Sequence, residues 1–537
     1  MGTYINRGNS AFRNIVRQEY VDKTSLIPLI NATIDTESRY SCVTRCRRFG
    51  KSMAARMLCA YYDKSCSSRE LFRGLEAEQD SSFGTYLNQY SVLYLDVTSF
   101  TARPELRHNI VRAIQEEIMH ELKEAFPDVR YRESSDLMDV LSAIYHATGE
   151  RFFFIIDEWD AICREFPDRQ KLKGDPETVA PTIMDEYVML LRRLFKTQDS
   201  DRVFAGAYLT GILPIKRYNT ESALNNFREY SMVRPGRLAT SLGFTHEEVA
   251  MLCRKHGMDL QQMERWYDGY RIGKASRMFN PYSVMRAVHE DEYGSYWTTT
   301  GAYDSVITYI QMNFEGLKDD IIRMLAGEHV YVDTTGFLND MHIMRSKNDV
   351  LTVLIHLGYL AYDRNSSQCY IPNKEVADEM NNAIKATSWE PLVRTIQHSK
   401  ALLEATLAGN EEAVARAIDV AHDEHTSILS YNDENSLACV LTVAYIWARN
   451  EYIIHREYAT GKGYADLVMI PRRNVGKPAL VIELKFNHSA GTALDQIKRK
   501  DYPAKIAEYT GDLLLVGISY DRETKQHACR MERTVKA

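Results

Sequence analysis

The chain has 537 residues, of which 45% are hydrophobic and 26% are charged, and a chain of this length favours several domains over one. This composition is that of ordinary globular proteins, so it excludes disorder of the whole chain, and 27 glycines and 14 prolines are too few for collagen or a low-complexity protein. The net charge of -7 argues against a protein that coats nucleic acid over its whole surface.

The N-terminus and the cysteines predict an unanchored, cytoplasmic protein. The first residues, MGTYINRGNS, lack the basic start and the apolar stretch of a signal peptide, and Asn6 stands where a myristoylation signal has Ser or Thr. No apolar run is long enough to cross a bilayer, so we expect no membrane contact. The nine cysteines include no CxxC pair, and we interpret them as reduced thiols.

The first 240 or so residues alternate short apolar runs with helical patterns, as in a parallel sheet covered by helices. Four runs predict buried strands: Tyr40–Thr44, Val92–Val97, Phe152–Ile156 and Val203–Thr210. Apolar residues recur every fourth position from Ile110 to Phe126, which predicts a helix that ends before Pro127. We therefore predict an α/β domain for residues 1–242.

The segment after the first predicted strand has the end of a phosphate-binding P-loop. Gly50, Lys51 and Ser52 precede a helical pattern, so the helix N-terminus and Lys51 would hold phosphate while the Ser52 hydroxyl would bind Mg²⁺. Arg45 stands where the motif has its first glycine. A chance Gly-Lys-Ser at a helix start therefore stays an alternative when the tripeptide is taken alone.

A second feature follows the strand Phe152–Ile156, which ends in carboxylates as a Walker B strand does. Asp157 would hold Mg²⁺ through water, and Glu158 would polarise the attacking water. An acidic turn after a buried strand does not explain the presence of both features, so together they predict a P-loop ATPase that binds ATP and Mg²⁺. Thr210, at the end of the next predicted strand, is a candidate sensor of the γ-phosphate, with a helix or turn cap as the alternative.

Three further parts follow along the chain. Residues 243–392 have weaker strand signals and predict a mainly helical second domain, with helices at Glu247–His256, Pro281–His289 and Asp319–Leu325. Residues 393–430 predict connecting helices. Residues 431–537 predict a small α/β domain with a long apolar helix from Asn432 to about Asn450, two strands around Asp466 and Glu483, a charged helix near Gln496 and a strand at Asp512–Ser519.

Three charged residues of the last domain predict a second metal site. The segment between the two strands, rich in Pro, Gly and Asn, favours a hairpin symmetric about residues 474 and 475, which places Asp466 opposite Glu483. Lys485 lies on the same strand face as Glu483. The two carboxylates would bind Mg²⁺ while the lysine orients or deprotonates a water for phosphodiester attack. A salt bridge on a strand edge is the alternative.

These residues resemble a bacterial family, the AAA-ATPase-like proteins with a C-terminal PD-(D/E)xK nuclease-like domain. The resemblance covers nearly the whole chain and rests on Tyr20-Val-Asp-Lys-Thr24, Arg47-Arg-Phe-Gly-Lys-Ser52, Ile156-Asp-Glu158, Thr210-Gly211, Gly243-Phe-Thr245, Trp266-Tyr-Asp-Gly-Tyr270, Asn280-Pro281, Ile371-Pro-Asn-Lys374 and Gly463 to Lys485. The arginine-containing loop is similar to the family's own form. Three positions depart from it: Cys46 replaces proline, Trp159 replaces tyrosine and Tyr464 replaces arginine.

The resemblance implies an AAA-like P-loop core, a helical lid or winged-helix-like second domain and a restriction-endonuclease-like C-terminal domain. It adds Arg48 to the nucleotide-binding residues and implies Glu434 as a further metal ligand and Gln496 as a contact to a base or phosphate. The implied activity is ATP hydrolysis that gates or positions a Mg²⁺-dependent nuclease on DNA. Self-association into a homo-oligomer is a further expectation.

Three functional hypotheses remain open. The first is an ATP-hydrolysing protein coupled to a metal-dependent nuclease that acts on DNA. The second is an ATP-dependent regulatory switch whose C-terminal domain binds nucleic acid or a protein partner without cleaving it. The third is an interaction protein in which both sites are vestigial. Residues 431–537 carry 16 Lys and Arg against 13 Asp and Glu, so a polyanion would favour this end of the chain.

Overall fold

The computed structural model divides into two compact units. It describes residues 2–133, 135–166, 183–215, 224–297, 307–310, 312, 314–325, 327–338, 344–386, 390–425, 441–442, 444–459, 464–472, 476–499 and 511–534. The first unit is Met1–Thr300 with Tyr331–Val376, and the second is Gly301–Val330 with Ala377–Ala537. The four predicted domains divide the chain differently, and their boundaries stay predictions. Among the described helices, none is long and apolar enough to cross a membrane.

The secondary structure alternates helices and strands in the first part of the chain and ends in a run of strands. The helices are α1 Ser10–Val16, α2 Leu26–Asn31, α3 Lys51–Tyr62, α4 Phe83–Tyr86, α5 Thr98–Thr101, α6 Ile110–Ala125, α7 Leu137–Thr148, α8 Ala161–Glu165, α9 Ile183–Phe195, α10 Ser200–Val203, α11 His246–His256, α12 Leu260–Tyr267, α13 Pro281–Glu290, α14 Leu317–Leu325, α15 Lys347–Leu357, α16 Lys374–Ala386, α17 Glu390–Leu407, α18 Glu411–His425 and α19 Ala490–Arg499. The strands are β1 Tyr40–Thr44, β2 Ser91–Asp96, β3 Phe152–Asp157, β4 Phe204–Gly211, β5 Arg228–Tyr230, β6 Phe244–Thr245, β7 Tyr270–Ile272, β8 Ala275–Phe279, β9 Val330–Tyr331, β10 Ala361–Asp363, β11 Gln368–Tyr370, β12 Tyr452–Ala459, β13 Tyr464–Pro471, β14 Ala479–Phe486, β15 Leu513–Asp521 and β16 Gln526–Thr534.

A five-stranded parallel sheet forms the centre of the first unit, in the order β2-β3-β4-β1-β5. The strands β1, β3 and β4 are buried along their whole length, and β3 accordingly begins with five consecutive apolar residues. All four predicted strands are confirmed to within one residue at each end. The fifth strand, β5, is short and exposes two of its three residues, so its sequence has no apolar run that would predict a strand.

Alternate residues of β3 belong to the two cores on opposite faces of this sheet. Phe154 and Ile156 join the core that contains the apolar stripe of α6. Phe153 and Ile155 join the other core, together with Tyr62 of α3, and the rings of Phe153 and Tyr62 stack with centroids 4.0 Å apart. This alternation follows from the two-residue period of a strand. Because Tyr62 at the end of α3 stacks on Phe153 near the start of β3, the start of α3 lies toward the carboxyl end of β3.

The region predicted to be mainly helical also contains short strands. The strands β6, β7 and β8 form an antiparallel sheet in the order β6-β8-β7, and β10 pairs with β11. These strands have two to five residues, too few for a pattern of alternation to appear in the sequence. The predicted helices of this region are confirmed as α11, α13 and α14. Helix α11 begins with a capping box between Thr245 and Glu248.

The second unit contains a five-stranded mixed sheet in the order β12-β13-β14-β15-β16. Three of its strand pairs are antiparallel, and β14 pairs in parallel with β15. A parallel pair needs a crossover, and α19, the predicted charged helix, lies in the connection between these two strands. Of the predicted apolar helix, residues 432–440 lie outside the described residues, and its described end is a 3-10 helix, Ile446–Asn450.

Candidate functional site

The Gly-Lys-Ser tripeptide lies after strand β1, at the start of helix α3. Gly50 precedes the helix with a φ of 85°, a left-handed conformation that favours glycine. A Cβ at this position would meet no atom within 4 Å, so the backbone conformation, not crowding, requires the glycine. Lys51 is the first residue of α3 and is only 4% exposed. This is the strand, loop and helix start that a phosphate-binding loop requires.

Lys51 lies beside the carboxylate that follows β3. Its Nζ is 3.6 Å from Glu158 Oε1 and donates a hydrogen bond of 3.1 Å to the carbonyl of Cys46. The other carboxylate oxygen of Glu158 accepts a hydrogen bond of 2.5 Å from Arg164 Nη2. Burial alone would raise the pKa of Glu158, but the charges of Lys51, Arg164 and Arg47 outweigh it and hold that pKa below its usual range. Glu158 is thus an ionised carboxylate between cations.

Asp157, the last residue of β3, lies 3% exposed near the start of α3. Its Oδ2 accepts a hydrogen bond of 3.0 Å from the Tyr94 hydroxyl, and the Ser52 hydroxyl also donates to this carboxylate. Burial raises the pKa of Asp157 to about 6, although these two hydrogen bonds oppose the shift. A buried carboxylate beside a hydroxyl offers the oxygen ligands that Mg²⁺ prefers, and a divalent cation would favour its charged form. The residues present therefore fit a magnesium ion.

Two other residues predicted for the nucleotide site have their polar groups bonded elsewhere. The Thr210 hydroxyl donates a hydrogen bond of 3.0 Å to the carbonyl of Val43 inside the sheet. The Arg48 guanidinium donates to the carbonyl of Tyr296 at 2.8 Å and lies 4.0 Å from the ring centroid of Tyr282. Neither of these contacts brings the side chain to Lys51.

The arginine at the position of the missing glycine is a structural residue. Arg45 is fully buried and donates to the carbonyls of Thr44, Tyr230 and Leu238 at 2.7 to 2.9 Å. Burial lowers the pKa of Arg45 to about 10. Because this side chain points into the protein, it does not occupy the phosphate-binding side of the loop. An arginine in a loop is usually exposed, so nothing in the sequence indicated this role.

Sequence reasoning also missed Arg164. Its side chain is 12% exposed, and besides Glu158 it faces Asp160, with Nε 3.2 Å from Asp160 Oδ2. Asp160 is fully buried and accepts hydrogen bonds from the backbone N–H groups of Ile212 and Leu213, at 3.2 and 2.9 Å. The spacing of four residues between Asp160 and Arg164 on a helix was the available signal.

The second predicted site lies on the mixed sheet of the second unit. Strand β13 pairs with β14 in the predicted register, with Leu467 opposite Ile482 and Met469 opposite Leu480. Asp466 therefore lies across from the segment that carries Glu483, and its Oδ2 accepts a hydrogen bond of 2.8 Å from the backbone N–H of Leu484. The predicted hairpin register is confirmed.

Glu483 is the centre of this second site. It is 1% exposed, its Oε1 lies 3.9 Å from Lys485 Nζ, and the same oxygen accepts a hydrogen bond from the Gln496 side chain of α19. The structure thus brings Glu483, Lys485 and Gln496 together, with Asp466 on the adjacent strand. Glu434, the predicted additional metal ligand, lies outside the described residues.

The donor set of the second site suits a hard cation with few protein ligands. Across the residues that the structure describes, no group of three or more His, Cys, Asp or Glu side chains could hold a metal ion. Asp466 and Glu483 supply two carboxylates, and Mg²⁺ in proteins commonly keeps several waters while one or two carboxylates bind it. The residues present therefore fit magnesium better than a metal that needs three or four protein ligands.

Comparison with known proteins gives two family matches. Residues 7–220 match the family described as predicted AAA-ATPase, and residues 432–529 match the PD-(D/E)XK nuclease superfamily. An uncharacterized protein in the vnfD 5' region of Azotobacter chroococcum mcd 1 is 22% identical over 525 residues, which cover 94% of this chain and 93% of that protein.

Two solved structures of the ORC2 protein of Aeropyrum pernix are also similar. The form with ADPNP and ADP has a TM-score of 0.27 and 13% identity, and the ADP form has a TM-score of 0.24 and 12% identity. Each alignment covers 70% of this chain and 98% of the other.

The family matches confirm the resemblance found in the sequence. The chain combines an AAA-ATPase-like domain with a C-terminal domain of the PD-(D/E)XK nuclease superfamily. The fold class, an α/β P-loop core with a small nuclease-like α/β domain at the C-terminus, is likewise confirmed.

Proposed function

We propose, from this combination of an AAA-ATPase-like domain with a nuclease-superfamily domain, that the protein binds and hydrolyses ATP and that this activity gates or positions a metal-dependent nuclease on DNA. The observation that carries the proposal is the approach of Lys51 Nζ to Glu158 Oε1, at 3.6 Å. The two residues follow different strands of the parallel sheet, and each belongs to a motif that is weak when taken alone. Their proximity joins the two motifs into one site.

In this proposal, each residue of the first site has a distinct role. Gly50 lets the backbone approach the phosphates, and Lys51 neutralises the charge of the β- and γ-phosphates. Ser52 and Asp157 hold Mg²⁺, which when bound neutralises the charge that develops on the transferred phosphoryl group. Glu158 orients and polarises the attacking water.

We assign Arg48 and Thr210 to the support of the loop and the sheet. The Arg48 guanidinium is bonded to the carbonyl of Tyr296 and the Thr210 hydroxyl to that of Val43. A side chain held in this way would have to leave its partner before it could contact a phosphate.

In the second site, Asp466 and Glu483 hold the metal ion, which when bound polarises the scissile phosphodiester. Lys485 orients the attacking water or accepts its proton. Gln496, on the adjacent helix, donates a hydrogen bond to Glu483 and so orients its carboxylate. We assign this role to Gln496 in preference to a contact with a base. Hydrogen bonds from neighbouring side chains to metal ligands commonly orient those ligands.

The direct test is a paired assay of Lys51→Ala and Asp466→Ala in the full chain. We expect Lys51→Ala to lose ATP hydrolysis, because it removes the charge at the phosphates, and Asp466→Ala to keep hydrolysis but lose Mg²⁺- or Mn²⁺-dependent cutting of DNA. Each variant is the control for the other's folding. A wild-type chain that binds no ATP would refute the first assignment, and cutting that survives Asp466→Ala would refute the second.

The alternative function is an ATP-dependent switch whose C-terminal domain binds nucleic acid or a protein partner without cleaving it. The hydrogen bond from Arg48 to the carbonyl of Tyr296 joins the phosphate-binding loop to a residue beyond the matched ATPase domain. It therefore favours a conformational change on nucleotide binding, whether or not the C-terminal domain cleaves DNA. The absence of Mg²⁺-dependent cutting in a chain that hydrolyses ATP would select the switch over the nuclease.

A further inference from the structure

We infer that Arg164 is a positioning residue of the ATPase site. It holds the Glu158 carboxylate in place when Lys51 pairs with the phosphates of a bound triphosphate instead of with Glu158. The inference rests on the proposed ATP-binding function. It concerns a residue outside both sequence motifs, at the end of the short helix α8.

The geometry places one carboxylate between two cations. Glu158 Oε1 is 3.6 Å from Lys51 Nζ, and Oε2 is 2.5 Å from Arg164 Nη2. The side chains of Lys51, Arg164 and Glu158 are 4%, 12% and 20% exposed, so water replaces neither partner easily. Glu158 therefore lies where an anionic phosphate oxygen would meet the lysine ammonium.

A phosphate that approaches Lys51 has to compete with this internal carboxylate. Removal of one partner from a buried ion pair leaves an uncompensated charge, which is strongly unfavourable. Arg164 prevents that outcome, because Glu158 keeps one cation when Lys51 turns to the phosphate. The carboxylate then stays at the end of β3, where the proposal needs it to orient water.

Arg164 is itself held in place, so it can act as a fixed support. Its Nε lies 3.2 Å from Asp160 Oδ2, and the same oxygen accepts the N–H groups of Ile212 and Leu213 just after β4. The guanidinium thus forms an ion pair on one side with a buried carboxylate that is hydrogen-bonded to the backbone after β4, and a hydrogen bond on the other side with Glu158.

The backbone of Glu158 is also constrained. Its φ is 50°, a left-handed conformation that is uncommon for residues other than glycine. The N–H of the next residue, Trp159, donates to the carbonyl of Thr210 at 2.9 Å, which holds the turn against β4. Unfavourable conformations of this kind persist where the surrounding structure determines them. Backbone and side chain thus both fix where the carboxylate lies.

The test is a double-mutant cycle between Arg164→Gln and Glu158→Gln in the full chain. Affinity is measured by calorimetry with Mg²⁺ and the non-hydrolysable β,γ-imido analogue of ATP. Arg164→Gln should weaken binding about tenfold, because Glu158 then loses the hydrogen-bonded cation that would hold it when Lys51 turns to the phosphate. Glu158→Gln should strengthen binding, because it frees Lys51, and in that background Arg164→Gln should change the affinity less than twofold.

Hydrolysis by Arg164→Lys gives a second readout. Lysine keeps the charge, so we expect this variant to recover most of the affinity lost in Arg164→Gln and only part of the turnover, because it cannot reach Glu158 and Asp160 at once. Arg164→Met, which also removes the charge, takes its place in the cycle if Arg164→Gln does not fold.

The outcomes separate this inference from the ATP-binding proposal. An equal loss of affinity on Arg164 substitution in both Glu158 backgrounds would overturn the positioning role, because a purely structural defect does not depend on the Glu158 charge. If the wild-type chain does not bind the analogue, or binds it as well as Lys51→Ala does, the ATP-binding proposal itself fails.

Discussion

At the scale of single residues, the first site depends on carboxylates that are buried but differently compensated. Glu158 has cations on both sides, whereas the hydrogen-bond donors to Asp157 are uncharged: the hydroxyls of Ser52 and Tyr94 and the backbone N–H of Glu158. This difference explains why the pKa of Asp157 rises and that of Glu158 falls. Asp157 is therefore the carboxylate that gains most from the arrival of a cation.

The hydrogen bond from Tyr94 to Asp157 predicts a specific effect on metal use. Tyr94→Phe removes the donor but keeps the buried ring, so the charged carboxylate loses support. We expect the Mg²⁺ concentration that gives half-maximal ATP hydrolysis to rise about tenfold.

Tyr187→Phe is the matched control for this experiment. Tyr187 is buried in the same unit, and its hydroxyl has no hydrogen-bond partner among the described residues. An equal rise in the Mg²⁺ requirement of both variants would show that the effect comes from packing and not from the bond to Asp157.

At the scale of elements, long buried strands were predictable and short or exposed ones were not. The bounds of β3 were predicted to within one residue, because burial on both faces favours the run of five apolar residues with which it begins. The edge strand β16 exposes most of its residues and has no such run. The other edge strand, β12, was also missed. Local pattern thus identifies the interior of a sheet better than its edges.

The same distinction applies to the candidate sites. Gly50, Lys51 and Asp157 were predictable because their motifs require adjacent residues, and the hairpin register placed Asp466 near Glu483 in advance. Tyr94 and the burial of Arg45 were not predictable, because they arise from contacts between elements far apart in sequence. Arg164 contacts Glu158 and Asp160, which are near it in sequence, and was missed because it belongs to neither motif. Sequence motifs identify the groups that would meet a ligand, and tertiary packing determines what holds them.

The first turn of α16 carries a buried carboxyl group that predicts a pH dependence of stability. Glu375 accepts hydrogen bonds from Ser283 Oγ and from the N–H groups of Tyr296 and Trp297, at 2.7 to 3.0 Å. Burial nevertheless raises its pKa from 4.5 to about 7. The folded state therefore binds this proton more tightly than the unfolded chain does.

The sign of the effect follows from linkage. The stability contributed by protonated Glu375 is fully present below the unfolded pKa of 4.5 and is lost as the pH rises through about 7. In Glu375→Gln this loss is absent, because the amide is neutral at every pH and Ser283 can accept from it. The quantity to measure by urea unfolding is the free energy of unfolding of Glu375→Gln minus that of wild type. We expect this difference to be larger at pH 8 than at pH 4, by up to about 3 kcal/mol. A pH-independent difference would contradict the assignment.

At the scale of the whole molecule, each of the two units has hydrophobic cores formed from its own described residues. The cores of the parallel sheet draw only on the first unit, and those of the mixed sheet draw only on the second. Chains with separate cores often unfold in more than one step. We therefore expect two transitions in calorimetry of the full chain.

A ligand of the first site should move only one of these transitions. At about a hundred times its dissociation constant, the imido analogue with Mg²⁺ would stabilise the unit that binds it by about 2.7 kcal/mol. Lys51→Ala should abolish the shift in midpoint, and Asp466→Ala should leave it unchanged. If both transitions move together in wild type, the units unfold as one body and the prediction fails.

The buried guanidinium of Arg45 has a consequence for the solution conditions that the protein tolerates. Its three acceptors are backbone carbonyls, so this anchor of the loop contains no pair of opposite charges, and dissolved ions screen fully buried groups weakly. The proposed binding of a highly charged nucleotide at Lys51 would, by contrast, be subject to screening. High salt concentrations should therefore lower the affinity for the nucleotide, while the loop that carries Lys51 keeps its conformation.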